Sequence, residues 1–577
     1  MRTFKDLTRQ NKSSLYKHLL YAVLLILAGG FILWKCKYGF GNIDESFYIT
    51  IPYRLFKGDA LFVHEWHLSQ MAGFLTLPIV SLYLLINGST VGIVLFLRYV
   101  CTILQIATAV FIYIRVNKTN WMGAIIASLS YMLYIPFGIM ALSYNSMAIM
   151  SLVICTVIIF TSQKRKSLQY VIAGLFLAAA VLCCPYLAIV FCVFALVVLV
   201  AQLVRKLRKS KNETQFYFFT VKGVVFLSIG AAIVAVIFAA FVLSRASLSE
   251  ILQAFPKIMD DPEHPPISFF EITEIFINSI QTSNDLAKYI YPILITLATV
   301  CLIDRKRSEH KLSYLFVALI CVLVLMLGYY NMNDYINHIM WSLNLLALFI
   351  VFVTKDNIIK NIFYSNWVTG ILYAFCLNAT SNQKFYAISS ASSVSLVGSI
   401  IIICIFASSL IKEDVTSDLK NIVIILTSLV LVLQIFLQTS LRYKSVFWET
   451  DMESQNILIN DGFNAGLYVT EEKHELYYSR LENLKKLEKY DAEKVLYLSD
   501  LTWYYLADDY NMCTYSAWLS GVSEHSIMRL KTYFEFNPDK LPDVVYIDIE
   551  NEKFAWLFCE ECGYRIDSHD DVIILVK

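Results

Sequence analysis

Charge is scarce in this sequence. Only 16% of its 577 residues are Asp, Glu, Lys or Arg against 58% hydrophobic ones, and the formal net charge is +1. The first shortage excludes a water-soluble protein. The second leaves no global basic field of the kind that nucleic-acid binding needs. No glycine-rich phosphate loop occurs, so no nucleotide site is written into the chain. FCEECGYR carries one CxxC without the second pair of a zinc set, which leaves a short-loop disulfide or free thiols at Cys559 and Cys562. Internal repeats and low-complexity linkers are also absent, and deep charge within the apolar runs is almost absent.

What the chain has instead is apolar runs. A helix needs about 20 apolar residues to cross a bilayer. Runs of that kind lie near residues 19–36, 91–115, 121–138, 142–162, 168–184, 186–204, 216–243, 286–303, 312–330, 337–354, 362–380, 390–411 and 421–440. That predicts a multi-pass membrane protein with about thirteen spans. Nine of the 13 cysteines fall inside these runs, where Cys acts as a small hydrophobe. The basic N-terminus precedes a run with no small-x-small cleavage site, so it reads as an uncleaved first helix.

Cytoplasmic loops near span ends are rich in Lys and Arg. With the N-terminus inside, the loops RVNK, QKRKS, RKLRKSK, DRKRSEHK, KDNIIKN and IKEDVTSDLK all fall on the cytoplasmic side. MAGFLTLPIVSLYLLING, Met71 to Gly88, would invert every later loop if it crossed. It is therefore expected to lie at the outer interface or re-enter, kinked at Pro78. This topology exports the first loop, residues 37–90, and everything after the last span. The expected fold is mainly α: a transmembrane domain over residues 1–440 with outer juxtamembrane helices, then a small extracytoplasmic α/β domain over 441–577. In that tail KVLYLSD, DVVYIDI and DVIILVK read as strands and HELYYSRLENLKKLEKYDAEK as helix.

FGNIDESFYITIPYRLFKGD opens the first loop with adjacent carboxylates, Asp44 and Glu45. A carboxylate against lipid head groups is partly desolvated, which raises its basicity and suits it to take a proton from an acceptor hydroxyl. The same pair also suits a solvated helix N-terminus, with Asn42 or Asp44 as cap and Glu45 favouring the helix dipole. Arg98 lies in the outer third of the second span, where a charge is costly unless paired or functional. It can bind a lipid phosphate, pair with an acid of the first loop, or snorkel to the interface. VHEWH supplies His64 and His67 as acceptor-pocket residues or as ordinary hydrogen-bonding side chains. Its H-E-x-H spacing is not the H-E-x-x-H that sets two imidazoles on one helical face. MDDPEHPP adds Asp260, Asp261, Glu263 and His264, either a solvated acidic loop or one side of a divalent-cation clasp with Asp44. Trp66, Tyr48 and Tyr53 can stack on sugar rings or anchor the interface.

The acidic pair after the first span, the interfacial helix, the arginine of TVGIVLFLRYV and LSYNSM, the polar start of the fourth run, together resemble the type-C membrane glycosyltransferases. The similarity is to their bacterial branch, which includes relatives of protein O-mannosyltransferases and of the lipid A aminoarabinose transferase. The specific match covers roughly the first 165 residues; the remainder agrees in span number and topology. The resemblance implies transfer of a sugar from a polyprenyl-phosphate donor to an extracytoplasmic acceptor, such as a cell-envelope lipid, polymer or protein, by an inverting displacement. Asp44 is the implied base, with Glu45 beside it. Tyr48, His64, His67, Arg98, Asp334 and His338 are the candidate substrate contacts, and membrane lipids are the surroundings. No cofactor is certain, and a divalent cation remains open. The basic lipid-phosphate motif and proline-rich patch of many relatives are missing; NMNDYINHIMW stands nearest to that place. The rival reading is a non-enzymatic transporter or flippase, or an assembly factor for lipid-linked glycans. Such transporters usually carry ionisable residues at mid-membrane and inverted repeats, neither of which is found.

Overall fold

The computed structural model describes residues 4–577 apart from 42, 163–165, 208–215, 262–266, 284, 305–310, 333–335, 337, 413–417, 445, 447–450 and 520. Among the described residues nine helices are long and apolar enough to cross a membrane: Leu15–Lys35, Ile93–Val116, Trp121–Gly138, Tyr144–Thr161, Lys166–Cys183, Tyr186–Leu207, Val221–Leu243, Ser393–Ile411 and Asp418–Lys444. Each coincides with a run marked in the sequence. The other four runs are helical too, but their apolar stretches are shorter: Lys288–Leu297, Tyr314–Tyr330 and His338–Val353, and a segment from Asn357 to Ala379 interrupted by a π turn at Phe363–Trp367. The chain is a mainly α, multi-pass membrane protein.

Local chemistry sets the helix starts. Asn120, Ser143 and Thr220 each accept a hydrogen bond from the backbone N–H three residues on, satisfying a donor that the first turn would otherwise leave open. Where the helices Lys166–Cys183 and Val221–Leu243 cross, glycines face each other. A Cβ at Gly174 would lie 2.1 Å from the Leu227 carbonyl oxygen, and one at Gly230 would lie 2.0 Å from that of Val171. Small residues at a crossing let backbones approach where no hydrophobic effect drives association.

The first loop forms two helices, Asp44–Phe56 and Ala72–Asn87. The second carries Pro78 inside and ends at Gly88 in the left-handed conformation, with φ of 70°. Its 16 residues extend about 24 Å, short of the roughly 30 Å hydrocarbon core. That length agrees with a helix that does not cross.

The tail contains β1 (Ile457–Leu458), β2 (Tyr468–Val469), β3 (Lys494–Leu498), β4 (Asn511–Met512), β5 (Val544–Asp548), β6 (Arg565–His569) and β7 (Val572–Val576). β1 and β2 pair as a small ribbon, and the others form one sheet in the order β4-β3-β5-β7-β6. β3 runs parallel to β4 and β5, while β7 is antiparallel to both β5 and β6. The three runs read as strands are β3, β5 and β7, and β5 is buried throughout, as a central strand covered on both faces must be.

This sheet does not complete its core alone. Trp66 of the first loop, with Ala254 and Ile258 of the loop after Val221–Leu243, packs into the same cluster as Leu496, Tyr515, Tyr533 and Ile547. Trp66 is fully buried, its ring 5.1 Å from Tyr533 and 6.1 Å from Tyr515. It therefore neither stacks on a sugar nor anchors the interface. Tyr53 is likewise buried and donates to Asp509 at 3.2 Å.

A buried charge cluster locks the same contact. Arg54 reaches Asp59 at 2.8 Å, Glu65 at 2.7 Å and the Thr514 carbonyl at 3.0 Å, while Lys540 pairs with the other oxygen of Asp59. Burial alone would raise the Asp59 pKa, but the charges of Arg54 and Lys540 outweigh it and hold the carboxyl below its ordinary range. For Glu65 burial prevails over Arg54, and its pKa is raised.

Two stability effects are expected. Arg54→Met leaves Glu65 buried without its cation and should destabilise the full chain by about 3–5 kcal/mol, read as earlier protease release of the tail. Asp508 is pushed up to about 6 by burial, against the opposing hydrogen bond from Tyr497. A carboxyl raised in the folded state costs nothing below its unfolded pKa and subtracts stability as pH rises through the window up to 6. Asp508→Asn keeps an acceptor for Tyr497, so it should stabilise at pH 7 by on the order of 2 kcal/mol and have no effect below about pH 4. Melting curves of purified protein at the two pH values check this.

Candidate functional site

The site is built around Arg98, in the second turn of Ile93–Val116 and only 4% exposed. Its Nε donates to Glu45 Oε1 and its Nη2 to Glu45 Oε2, both at 2.6 Å. Nη1 donates to the carbonyls of Cys36 (2.7 Å) and Tyr38 (3.3 Å), and Nη2 also donates to Gly39 (2.8 Å). These contacts spend all five N–H groups of the guanidinium. Of the three roles open to Arg98 in the sequence, the structure has it pair with an acid of the first loop. As a substrate contact it has no donor left, and that expectation is corrected: Arg98 is a positioning residue.

The pair ties four pieces together. The accepting carbonyls belong to the turn that ends the first membrane helix, and this turn is pinned in turn by the tail. Gly39 N–H donates to Tyr468 O at 2.8 Å, and Tyr468 N–H donates to Lys37 O at 2.7 Å. Thr502 of the tail grips the acidic helix on both sides of the pair, donating to Ile43 O at 2.8 Å and sharing a 2.6 Å hydrogen bond with Ser46.

The two acids thereby differ. Glu45 is 2% exposed, has both oxygens on Arg98, and also accepts from Gly41 N–H at 3.2 Å. The structure gives it a holding role in place of the expected catalytic one. Asp44 is partly exposed and is the first helical residue; Ile43 holds the cap position and supplies no side-chain cap. The expected Asp44 cap is thus not formed. Tyr48, one turn on, is half-buried and meets Tyr144 edge-on at 5.4 Å. Burial, then Tyr144 and the charges of Asp44 and Glu45, push its phenol well above the ordinary range. It is an O–H donor at every physiological pH.

Glu45, Tyr48 and Arg98 line a cleft of about 290 Å³ closed by Thr76 and Val80 of the interfacial helix and by Ala141 and Leu142 of LSYNSM. The other candidates lie apart from it. His67 Nδ1 accepts from Ser69 N–H at 3.1 Å, and its ring packs on Phe47 at 4.6 Å. His64 Nδ1 accepts from Ala60 N–H at 3.0 Å and lies 3.7 Å from Asp59, on the tail-docking cluster. Burial lowers the His64 pKa against the pull of Asp59. Glu65 between them is held by Arg54, so VHEWH forms no ligand set. His338 is 2% exposed, stacks on Phe385 at 5.0 Å and lines a separate pocket with Leu437 and Leu441. Asp334 lies outside the described residues, as do Glu263 and His264. Asp261 faces Arg529 of the tail at 3.8 Å. Among the described residues no group of three His, Cys, Asp or Glu could hold a metal ion.

Two buried cations, Lys35 and Arg442, were not singled out in the sequence. Lys35 is fully buried and donates to the Tyr443 carbonyl at 2.9 Å. Arg442, in the last turn of Asp418–Lys444, is 5% exposed and lines a second cleft. The available signal was spacing: Gln434, Gln438 and Arg442 recur every four residues, so they share one helical face.

No family model matches the chain, and no curated protein matches it significantly. Among solved structures, an archaeal oligosaccharyltransferase from Archaeoglobus fulgidus, in complex with an inhibitory peptide and a dolichol-phosphate, aligns over 93% of this chain and 70% of its own. The TM-score is 0.44 and the identity 12%, too low to assign fold or activity.

If Glu45 holds Arg98, Glu45→Ala should cost about 3–5 kcal/mol by stranding a buried guanidinium. Pairing it with Arg98→Met should recover most of that loss. A double-mutant cycle on melting of the detergent-purified protein measures the coupling, and additive losses would refute it.

Proposed function

We propose that the chain is a membrane glycosyltransferase that moves a sugar from a polyprenyl-phosphate donor to an extracytoplasmic acceptor, with Asp44 as general base. The observation that carries this reading is the division of labour in the acidic pair. Glu45 is neutralised by Arg98 deep in the fold, while Asp44, on the adjoining position, remains partly exposed.

In the proposed step the acceptor hydroxyl oxygen attacks the anomeric carbon and its proton passes to the Asp44 carboxylate. The bond from that carbon to the phosphate oxygen breaks, and the lipid phosphate leaves with the electron pair. One base and one displacement invert the anomeric centre. In this reading the Tyr48 hydroxyl, kept protonated by its surroundings, donates to a sugar or leaving-group oxygen. The basic-loop pattern assigns this end of the bundle to the outer face, where a lipid-borne donor and an external acceptor meet.

Asp44→Asn should lower transfer by about 10²–10⁴-fold, the usual contribution of a general base, with little change in melting temperature. Mass spectrometry of surface glycans and lipid-linked sugars, at matched membrane levels, checks it. Loss of one glycan with persistence of its lipid-linked donor names the sugar and acceptor. A wild-type glycan profile from Asp44→Asn would refute the base and move the transporter reading ahead.

A further inference from the structure

Where the first, second, third, fourth and last membrane helices end beneath the sheet domain, the bundle buries three cations, Lys35, Arg98 and Arg442. Arg98 has Glu45 as its counter-charge. Lys35 has a carbonyl. Among the described residues Arg442 has one long hydrogen bond, Nη1 to the Tyr134 carbonyl at 3.3 Å, and its buried Nε has no partner. A guanidinium in the last turn of a helix is favourable when water or an anion completes it. Buried at 5% exposure beside two further cations, it is costly unless an anion is supplied. Both Arg442 and Arg98 act electrostatically on Lys35, which adds to that cost.

Arg442 lines a cleft at this end of the bundle. Thr102, Gln105 and Ser146 give it polar edges, and Ile139, Ile149 and Met150 give it an apolar wall. That lining suits an anionic head on a hydrocarbon body better than a free ion. The planar guanidinium fork matches two oxygens of one phosphate.

The cleft also adjoins the one lined by Glu45 and Tyr48. Ser146 Oγ donates to the Ala141 carbonyl at 2.7 Å, and Cys101 Sγ lies 3.4 Å from the same oxygen. Ser146 and Cys101 line the Arg442 cleft, whereas Ala141 lines that of Glu45 and Tyr48. One layer of side chains separates them.

We infer that the Arg442 cleft seats the phosphate of a polyprenyl phosphate, with Arg442 contacting its oxygens. The assignment of this lipid as sugar donor rests on the transferase reading above; the anion site does not.

The test uses the full chain in phosphatidylcholine nanodiscs, titrated with a short polyprenyl monophosphate that carries no sugar and followed by native mass spectrometry. Wild type should bind it saturably, Arg442→Gln should bind about tenfold more weakly or worse, and Arg442→Lys should recover part of the loss. Polyprenol of the same length should not compete. Equal binding by Arg442→Gln, or competition by polyprenol, overturns the site. Displacement of the probe by phosphatidylglycerol at the same concentration marks a site for bulk-lipid phosphate and overturns the polyprenyl assignment. Removing an unpaired buried charge should leave the melting temperature of Arg442→Gln unchanged or raised; if it falls, the Arg442→Lys titration decides. Because the probe lacks a sugar, failure of Asp44 as base leaves this result standing, and failure here leaves the base test standing.

Discussion

A charge buried at the end of a helical bundle must be answered by another charge, and in this chain that requirement is met between Arg98 and Glu45. The first membrane helix, the acidic helix and the tail all meet through it. Cys36, Tyr38 and Gly39 lend carbonyls to the guanidinium, and Tyr468 of the tail braces the turn that carries them. Once Glu45 is committed, the register of the Asp44–Phe56 helix places Asp44 one position away from the buried pair and nearer to solvent. The candidate base is therefore positioned by its neighbour's ion pair, without a cap of its own.

The tail is part of this arrangement. Trp66 completes its core, the Arg54 cluster fastens it to the first loop, and Thr502 holds the Ile43 carbonyl and the Ser46 hydroxyl on either side of the acidic pair. A sheet that needs residues of the first loop to close its core reports on the loop's position. Loosening the dock would move Asp44 and Glu45 together.

Much of this architecture was legible in one dimension. The long apolar runs became helices because a backbone in hydrocarbon has to satisfy its hydrogen bonds internally. The Pro78 segment was recognisable as a helix, and β3, β5 and β7 from short β-branched runs. At the site, the acidic pair and Arg98 stood out as charges where charge is expensive. Trp66 and Tyr53 were misread because an aromatic beside a membrane helix has the same sequence signature whether it meets lipid or the core of a distant domain. Lys35 and Arg442 were passed over because a cation at the end of an apolar run normally reaches water, and only the packing of five helix ends and a tail removes that water.

The sequence by itself determined the helices, the strands and the presence of two acids at the mouth of the first loop, since these follow from local periodicity, run length and the cost of charge in lipid. Tertiary structure alone decided which acid is locked and which stays partly exposed, and which arginine is spent and which keeps an open donor. Those assignments depend on which groups, hundreds of residues apart, share one desolvated space. Desolvation is a property of packing, and no local pattern encodes it.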